Sequence, residues 1–157
     1  ENMLILIDSR EKLPLEFKII GNVSKVEVIG LPFGDYTAML EDGTQVPICF
    51  DRKTLEDLYS TLTSGIDRFK REIEKSKRCN FLLYLIIEGT LSDIENGNGA
   101  TYSSIEPQSL IKTIFTLMVK YDINPIFCKN REEMVRFMIY CFEAFGRNFK
   151  REQAKIK

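Results

Sequence analysis

The sequence predicts an α/β fold with a central mixed β-sheet flanked by helices, and three features of its patterning lead there. The N-terminal third consists of short apolar or alternating runs broken by Gly and Pro, the pattern of strands and turns. From Thr54 the apolar residues recur at three- and four-residue steps, the pattern of amphipathic helix. Further apolar runs then alternate with helical stretches. Strands first, followed by helix–strand–helix–strand–helix, is the order of a layered α/β domain.

Met3–Ile7 is a short apolar run ending in Asp-Ser-Arg-Glu, and predicts a buried first strand. Residues 11–23 are mixed, with Pro14 and Gly21 as breakers and room for one short helix. Lys25–Ile29 alternates charged and apolar residues and predicts a second strand. Gly30 and Pro32-Phe33-Gly34 mark a turn. Tyr36–Leu40 and Val46–Phe50 flank Glu41-Asp42-Gly43-Thr44, where Asp-Gly signals a hairpin. Leu55, Leu58, Tyr59, Leu62, Ile66, Phe69 and Ile73 carry the helical period, with Gly65 as a point of division. Phe81–Ile87 reads as a strand buried on both faces and ended by Glu88-Gly89. Asn96-Gly97-Asn98-Gly99 reads as a mobile loop. Pro107 suits a helix start, with Leu110, Ile114, Phe115, Leu117 and Met118 on the apolar side. Asn124–Cys128 is a short strand, and Met134, Phe137, Met138, Cys141, Phe142 and Phe145 form the stripe of a last helix.

The 157 residues suit one domain, and they contain no histidine. Without it, no Ser-His-Asp triad, Cys-His dyad, His-based zinc site or imidazole base can operate from this chain alone. Acid–base and metal chemistry would fall to carboxylates, lysines, tyrosines or cysteines. Twenty-two Lys+Arg against 23 Asp+Glu argue against a surface that is basic throughout, though not against a local basic patch. Cys49, Cys79, Cys128 and Cys141 are scattered with no CxxC pair, which predicts reduced thiols and an intracellular setting. The longest apolar run, Phe81 to Ile87, is too short to span a bilayer, and residues 1–7 do not form a signal peptide. No membrane association is therefore expected.

Acidic residues gather at strand ends instead of helix faces. Asp8 and Glu11 follow the first strand, Asp35 opens the third and Asp51 closes the fourth; Arg52, Lys53 and Asp57 come directly afterwards. Cross-strand pairing in the hairpin can bring Asp35 and Asp51 together, and Lys53 would project from the same side as Asp51 if the strand runs on. Converging carboxylates suit Mg²⁺ or Mn²⁺, and a nearby lysine could orient a water or steady a phosphate. These are the parts for metal-assisted phosphodiester hydrolysis. By spacing alone, solvated strand-end charges that pair locally explain the same residues equally well.

Three segments go further. Ile-Asp8-Ser-Arg10-Glu11, Leu-Pro-Phe-Gly34-Asp35-Tyr36 and Phe-Asp51-Arg52-Lys53-Thr-Leu-Glu-Asp57-Leu resemble, in order and spacing, the nuclease domain of the XPF family. That family includes XPF and the archaeal Hef nuclease, with the pattern GD-x(n)-ERK-x(3)-D. Ser64-Gly65-Ile-Asp67-Arg68-Phe69 is an imperfect match to its Asp-Gly-Arg helix start. Leu85-Ile-Ile-Glu88-Gly89 and Pro125-Ile-Phe match its following strands, so the resemblance runs from about residue 3 to residue 150.

The resemblance implies a restriction-endonuclease-like fold, related to the PD-(D/E)xK enzymes. It also implies a Mg²⁺- or Mn²⁺-dependent endonuclease that cuts branched, flapped or otherwise distorted DNA, by attack of a metal-bound water, in repair or recombination. By the match, Asp35 and Asp51 are metal ligands, with the Arg52 carbonyl offered as a third, and Lys53 is the catalytic lysine. Asp8 and Glu11 complete the acidic cluster, with Asp8 counted among the metal ligands; Asp57 is a supporting acid. Arg10, Arg52 and Arg68 serve the scissile phosphate or the acidic cluster. Asp51 stands where the family pattern has Glu. Residues 1–157 read as a single nuclease domain without the tandem helix-hairpin-helix domain usual in that family, which leaves both a homodimer and a heteromeric partner open. The compartment expected is cytoplasmic, nucleoid-associated, for a prokaryotic or phage protein, and nuclear for a eukaryotic one.

Arg68, Lys70, Arg71, Lys75 and Arg78 follow the motif and are expected to contact DNA backbone; for a second basic group, from Arg147 to Lys157, a solvated, frayed tail explains the charge as well as phosphate contact does. A second reading keeps the fold without the chemistry: a non-catalytic DNA-binding or scaffold subunit paired with an active nuclease. Intact Asp35, Asp51 and Lys53 argue against it.

Overall fold

Six strands, among the described residues, form one sheet in the order β2-β1-β3-β4-β5-β6. The structure is a computed structural model and describes residues 2–101 and 103–156; Lys157 of the basic tail lies outside them. The elements are β1 (Met3–Asp8), β2 (Val23–Ile29), β3 (Tyr36–Leu40), β4 (Ile48–Thr54), α1 (Leu55–Leu62), α2 (Ile66–Arg78), β5 (Leu82–Glu88), α3 (Leu91–Glu95), α4 (Pro107–Tyr121), β6 (Asn124–Cys128) and α5 (Arg131–Ile156). β1 pairs parallel with β2 and antiparallel with β3. β3 and β4 are antiparallel, whereas β4, β5 and β6 run parallel. The sheet is mixed, as the sequence predicts.

Strand alternation sends the apolar side chains of the sheet into two cores. On one face Ile5, Ile7, Tyr36, Ala38, Phe50 and Ile86 pack under Met134, Met138 and Phe142 of α5. On the other, Cys49, Leu83, Leu85 and Ile87 pack under α1, α2 and α4 through Leu58, Phe69, Ile73, Leu110 and Ile114. β5 feeds both cores, which is why Phe81–Ile87 carries no polar alternation. Among the described residues, no helix is long and apolar enough to cross a membrane.

Four details depart from the sequence reading. Residues 11–22 hold no helix, because the buried Leu15 and Phe17 sit two apart on extended chain and Gly21 turns at φ +58°. β4 starts at Ile48 and does not stop at Phe50 but runs to Thr54, held in register by β5 from Ile48↔Leu82 to Thr54↔Glu88. Asp51 therefore sits inside the strand, not at its end. A short helix, α3, precedes the Asn-Gly turns, started by a capping box in which Thr90 and Asp93 each bond the other's backbone N–H. Finally, the basic tail from Arg147 continues α5 as far as Ile156.

Phe50 holds the α5 face together. It is fully buried, with edge-on ring contacts to Tyr84, Phe137 and Phe142. Phe50→Ala is expected to destabilise the fold by about 3–5 kcal/mol, the usual loss for a buried phenylalanine, read as a lower urea midpoint at unchanged slope.

Candidate active site

The turn before β3 brings the first acid to the second. Gly34 takes φ +69°, and a Cβ there would lie 2.0 Å from the Cys49 Sγ, so no larger residue fits. Its N–H donates to Glu72 Oε1 of α2 at 2.7 Å. The next residue, Asp35, is bound on both sides: its N–H donates to the Phe50 carbonyl, and its carbonyl accepts from the Asp8 N–H, both at 2.8 Å. The Asp35 Oδ2 accepts the Arg52 backbone N–H at 2.7 Å. The carboxyl groups of Asp35 and Asp51 thereby meet across the hairpin.

Because β4 continues to Thr54, Asp51 and Lys53 point to the α1–α4 side, and the Lys53 Nζ lies 3.4 Å from Asp51 Oδ1. Asp51 is 3% exposed, and with both acids ionised its Oδ2 is buried without a hydrogen-bond partner. Burial, then the charge of Asp51, pushes the Asp35 pKa up to about 9, so in the protein alone the pair can share a proton. Burial opposes the charge on Lys53, but Asp51 and Asp35 outweigh it and raise its pKa. Burial and the Asp51 charge likewise raise Glu72.

These groups floor a cleft of about 920 Å³, rimmed by Arg10, Lys12, Arg68, Arg71 and Lys75. Asp8 lines it too, but its oxygens are engaged by the Leu31 N–H at 2.9 Å and Arg10 Nε at 2.8 Å. Burial would raise the Asp8 pKa; those hydrogen bonds outweigh it and hold the pKa below the ordinary value. The Asp8 carboxylate is thus already committed to anchoring the rim arginine.

Other residues singled out by the sequence lie elsewhere. Arg52 points to the α5 side, where its Nε donates to Glu11 Oε2 at 2.9 Å, and both side chains are 10% exposed. Glu11 also accepts the Tyr36 hydroxyl, whose oxygen accepts the Leu15 N–H at 2.8 Å. Glu11 and Arg52 therefore do not join the acidic cluster; they brace the back of β4. Asp57 is exposed in the first turn of α1, its N–H capped by Thr54 Oγ1, and does not line the cleft. Lys70 lies 5.6 Å from the centroid of the Tyr121 ring, on another flank of α2, and Arg78 ends that helix away from the cleft lining.

Two charged cleft residues escape sequence reasoning, Glu72 and Lys12. Glu72 had a readable signal, since it falls on the inward stripe of α2 between Phe69 and Ser76, where a solvated acid does not belong. Lys12 sits on irregular chain with no periodicity to place it.

Asp35 and Asp51 fit a hard divalent cation: two hard oxygen donors with one buried oxygen left orphaned. Among the described residues, no three acidic or thiol side chains close into a ready-made cage. Mg²⁺ seldom needs one, because it keeps waters and takes oxygens from a substrate phosphate.

A mixed sheet with a carboxylate pair and a lysine facing a cation-rimmed cleft defines a restriction-endonuclease-like domain, and the comparisons agree. The chain is similar to XPF from Aeropyrum pernix, at 20% identity and a TM-score of 0.59, over 98% of this chain and 68% of that one. It is also similar to XPF from Aeropyrum pernix in complex with DNA, at 22% identity and a TM-score of 0.61, over 95% and 66%. It thus spans about two thirds of the length of those chains. Comparison with curated proteins gives no match. The ERCC4 domain model matches residues 7–141, and the chain belongs to the ERCC4 domain family, in agreement with the resemblance to XPF drawn from its motifs.

Two predictions follow from the geometry. Arg52→Gln leaves Glu11 buried without its cation, and is expected to cost about 3–5 kcal/mol of stability in urea with no DNA present; a residue serving only phosphate would leave the midpoint unmoved. Asp35 binds a proton in the folded chain at pH values where the unfolded chain has released it. Stability of the metal-free protein should therefore fall as pH rises from about 4 towards 9, and thermal melts across that range should show Asp35→Asn flattening the slope.

Proposed function

We propose that this protein is a divalent-metal-dependent DNA endonuclease, using Mg²⁺ or Mn²⁺, that acts on branched, flapped or otherwise distorted DNA. The observation that carries the reading is the buried, unpartnered Asp51 Oδ2 beside Asp35 and Lys53, at the floor of a cleft rimmed with cations. Asp35 and Asp51 would hold the cation. When bound, it would supply positive charge at the phosphate and make an attacking water more acidic.

The chain's own residues do the rest. Arg10, Arg68, Arg71 and Lys75 neutralise backbone phosphates and set the strand along the cleft without reading its sequence. The Lys53 ammonium, held by Asp51, faces charge that develops on the phosphoryl oxygens. Glu72 fixes Gly34, and so the position of Asp35. The preference for distorted DNA comes from the likeness to XPF.

Cleavage of a flap, fork, four-way junction and plain duplex with Mg²⁺ tests the reading. Asp35→Asn, Asp51→Asn and Lys53→Ala are each expected to lose cleavage by about 10²-fold or more while binding DNA in Ca²⁺. Full cutting by these variants would overturn the site. A wild-type protein that binds DNA but neither cuts it nor takes up Mn²⁺ would instead be the non-catalytic subunit.

A further inference from the structure

Helix α2 has a second cationic flank that the cleft does not use. Lys70 turns away from Arg68, Arg71 and Lys75 and faces α4 across a hollow of about 380 Å³, where Lys112, Lys120 and Tyr121 also line the wall. Among the described residues, no acid lines this hollow. Among the described residues, no carboxylate pairs with Lys70, Lys112 or Lys120, whereas the nearby Lys77 is tied to Asp122 at 3.6 Å. Over its fifteen residues α4 carries two lysines and no acid, so its charge on this side is uncompensated.

We propose that the hollow between α2 and α4 is a second nucleic-acid backbone site, which takes the arm of a branched DNA that has crossed α2 from the cleft. The inference rests on the endonuclease reading. Three observations select this occupant. Lys112 and Lys120 are eight residues apart on α4, which separates them by about 12 Å along the axis at roughly 1.5 Å per residue. That suits about three to four steps of a phosphate backbone rising about 3.4 Å each, and is too wide for both to hold one phosphate group. The hollow is walled by side chains of α2 and α4 with Leu62 of α1, and no glycine loop lines it to close on a small ligand. It is also continuous with the cleft across a single helix, about 10–12 Å wide with its side chains, whose other flank already carries Arg68, Arg71 and Lys75. A backbone bending over α2 meets cations on both slopes.

The test compares Lys112→Ala/Lys120→Ala with wild type on a fork and on a duplex short enough to fill the cleft alone, in Ca²⁺ across a salt series. The double variant is expected to bind the fork roughly fivefold or more weakly and to lower the salt slope of log Kd by about two, with the short duplex unchanged. Unaltered fork affinity and slope would overturn the proposal while leaving the endonuclease reading intact. Equal weakening on both DNAs would reduce the hollow to general attraction and overturn the arm assignment. Polyglutamate binding that needs Lys112 and Lys120, without a fork effect, would assign the surface to an acidic protein instead. A wild-type chain that binds neither DNA would remove the parent reading, and the inference with it. Circular dichroism of the double variant guards against a folding defect, which these two exposed residues are not expected to cause.

Discussion

The hydrogen bond from the Arg52 backbone N–H to the Asp35 carboxylate is the joint on which the cleft is built. The strand pairing it supplements is thin: within β3 and β4 only Tyr36 and Phe50 are in register. Backbone ladder alone would leave the mouth of the hairpin poorly fixed. A backbone-to-side-chain bond between the strands, together with the Gly34 N–H held by Glu72, sets the angle at which Asp35 enters. The same bond brings one carboxylate within reach of another in a buried site, an arrangement that opposes folding unless a proton or a cation intervenes. The fold tolerates this local conflict because the surrounding cores and the bonds on Gly34 and Asp35 leave the strands no alternative position.

β4 carries two opposite tasks in consecutive residues. Phe50 and Arg52 serve the α5 side, one by filling a core and the other by pairing with Glu11. Asp51 and Lys53 serve the cleft. A register slip by one residue would exchange the two sets and destroy both. The buried pair of Arg52 and Glu11 guards against that slip, since Arg52 cannot turn to the cleft without leaving Glu11 uncompensated. Motif residues outside the cleft can still set the alignment of those that line it, and the Arg52 N–H shows how: one residue braces the strand with its side chain and holds Asp35 with its backbone.

The sequence made the strand and helix order legible because each element has a strong period and most have punctuation at their ends. It also placed Asp35, Asp51 and Lys53 together, since hairpin pairing and strand alternation are local rules. What it could not supply was the face of the sheet. Glu11 and Arg52 look like members of the acidic cluster in one dimension, and only the continuation of β4 past Phe50, enforced by β5, sends Arg52 to the far side. The helix expected within residues 11–23 failed for a related reason: Leu15 and Phe17 are needed by the core at an extended spacing, and tertiary burial overrides local preference. Sequence proximity groups Lys70 with the cleft cations, although helical geometry, at about 100° per residue, puts it on roughly the opposite side of α2 from Arg68.

That last point bears on how a nearly neutral chain could handle a polyanion. At physiological salt, charges more than about 8 Å apart are largely screened from one another, so net charge says little about any one surface. What matters is the sign of the charges within that distance, and α2 sorts them by helical angle. Phe69, Ile73 and Ser76 face the core, with Glu72 beside them at the cleft floor; Arg68, Arg71 and Lys75 face the cleft; Lys70 faces α4. The acids that bring the total to −1 include several that are buried at the strands or paired to their own cations, and so project little field outward. An acidic floor and a basic rim coexist in one cleft because α2 sorts its side chains by helical angle, with Glu72 turned towards the floor and Arg68, Arg71 and Lys75 along the rim.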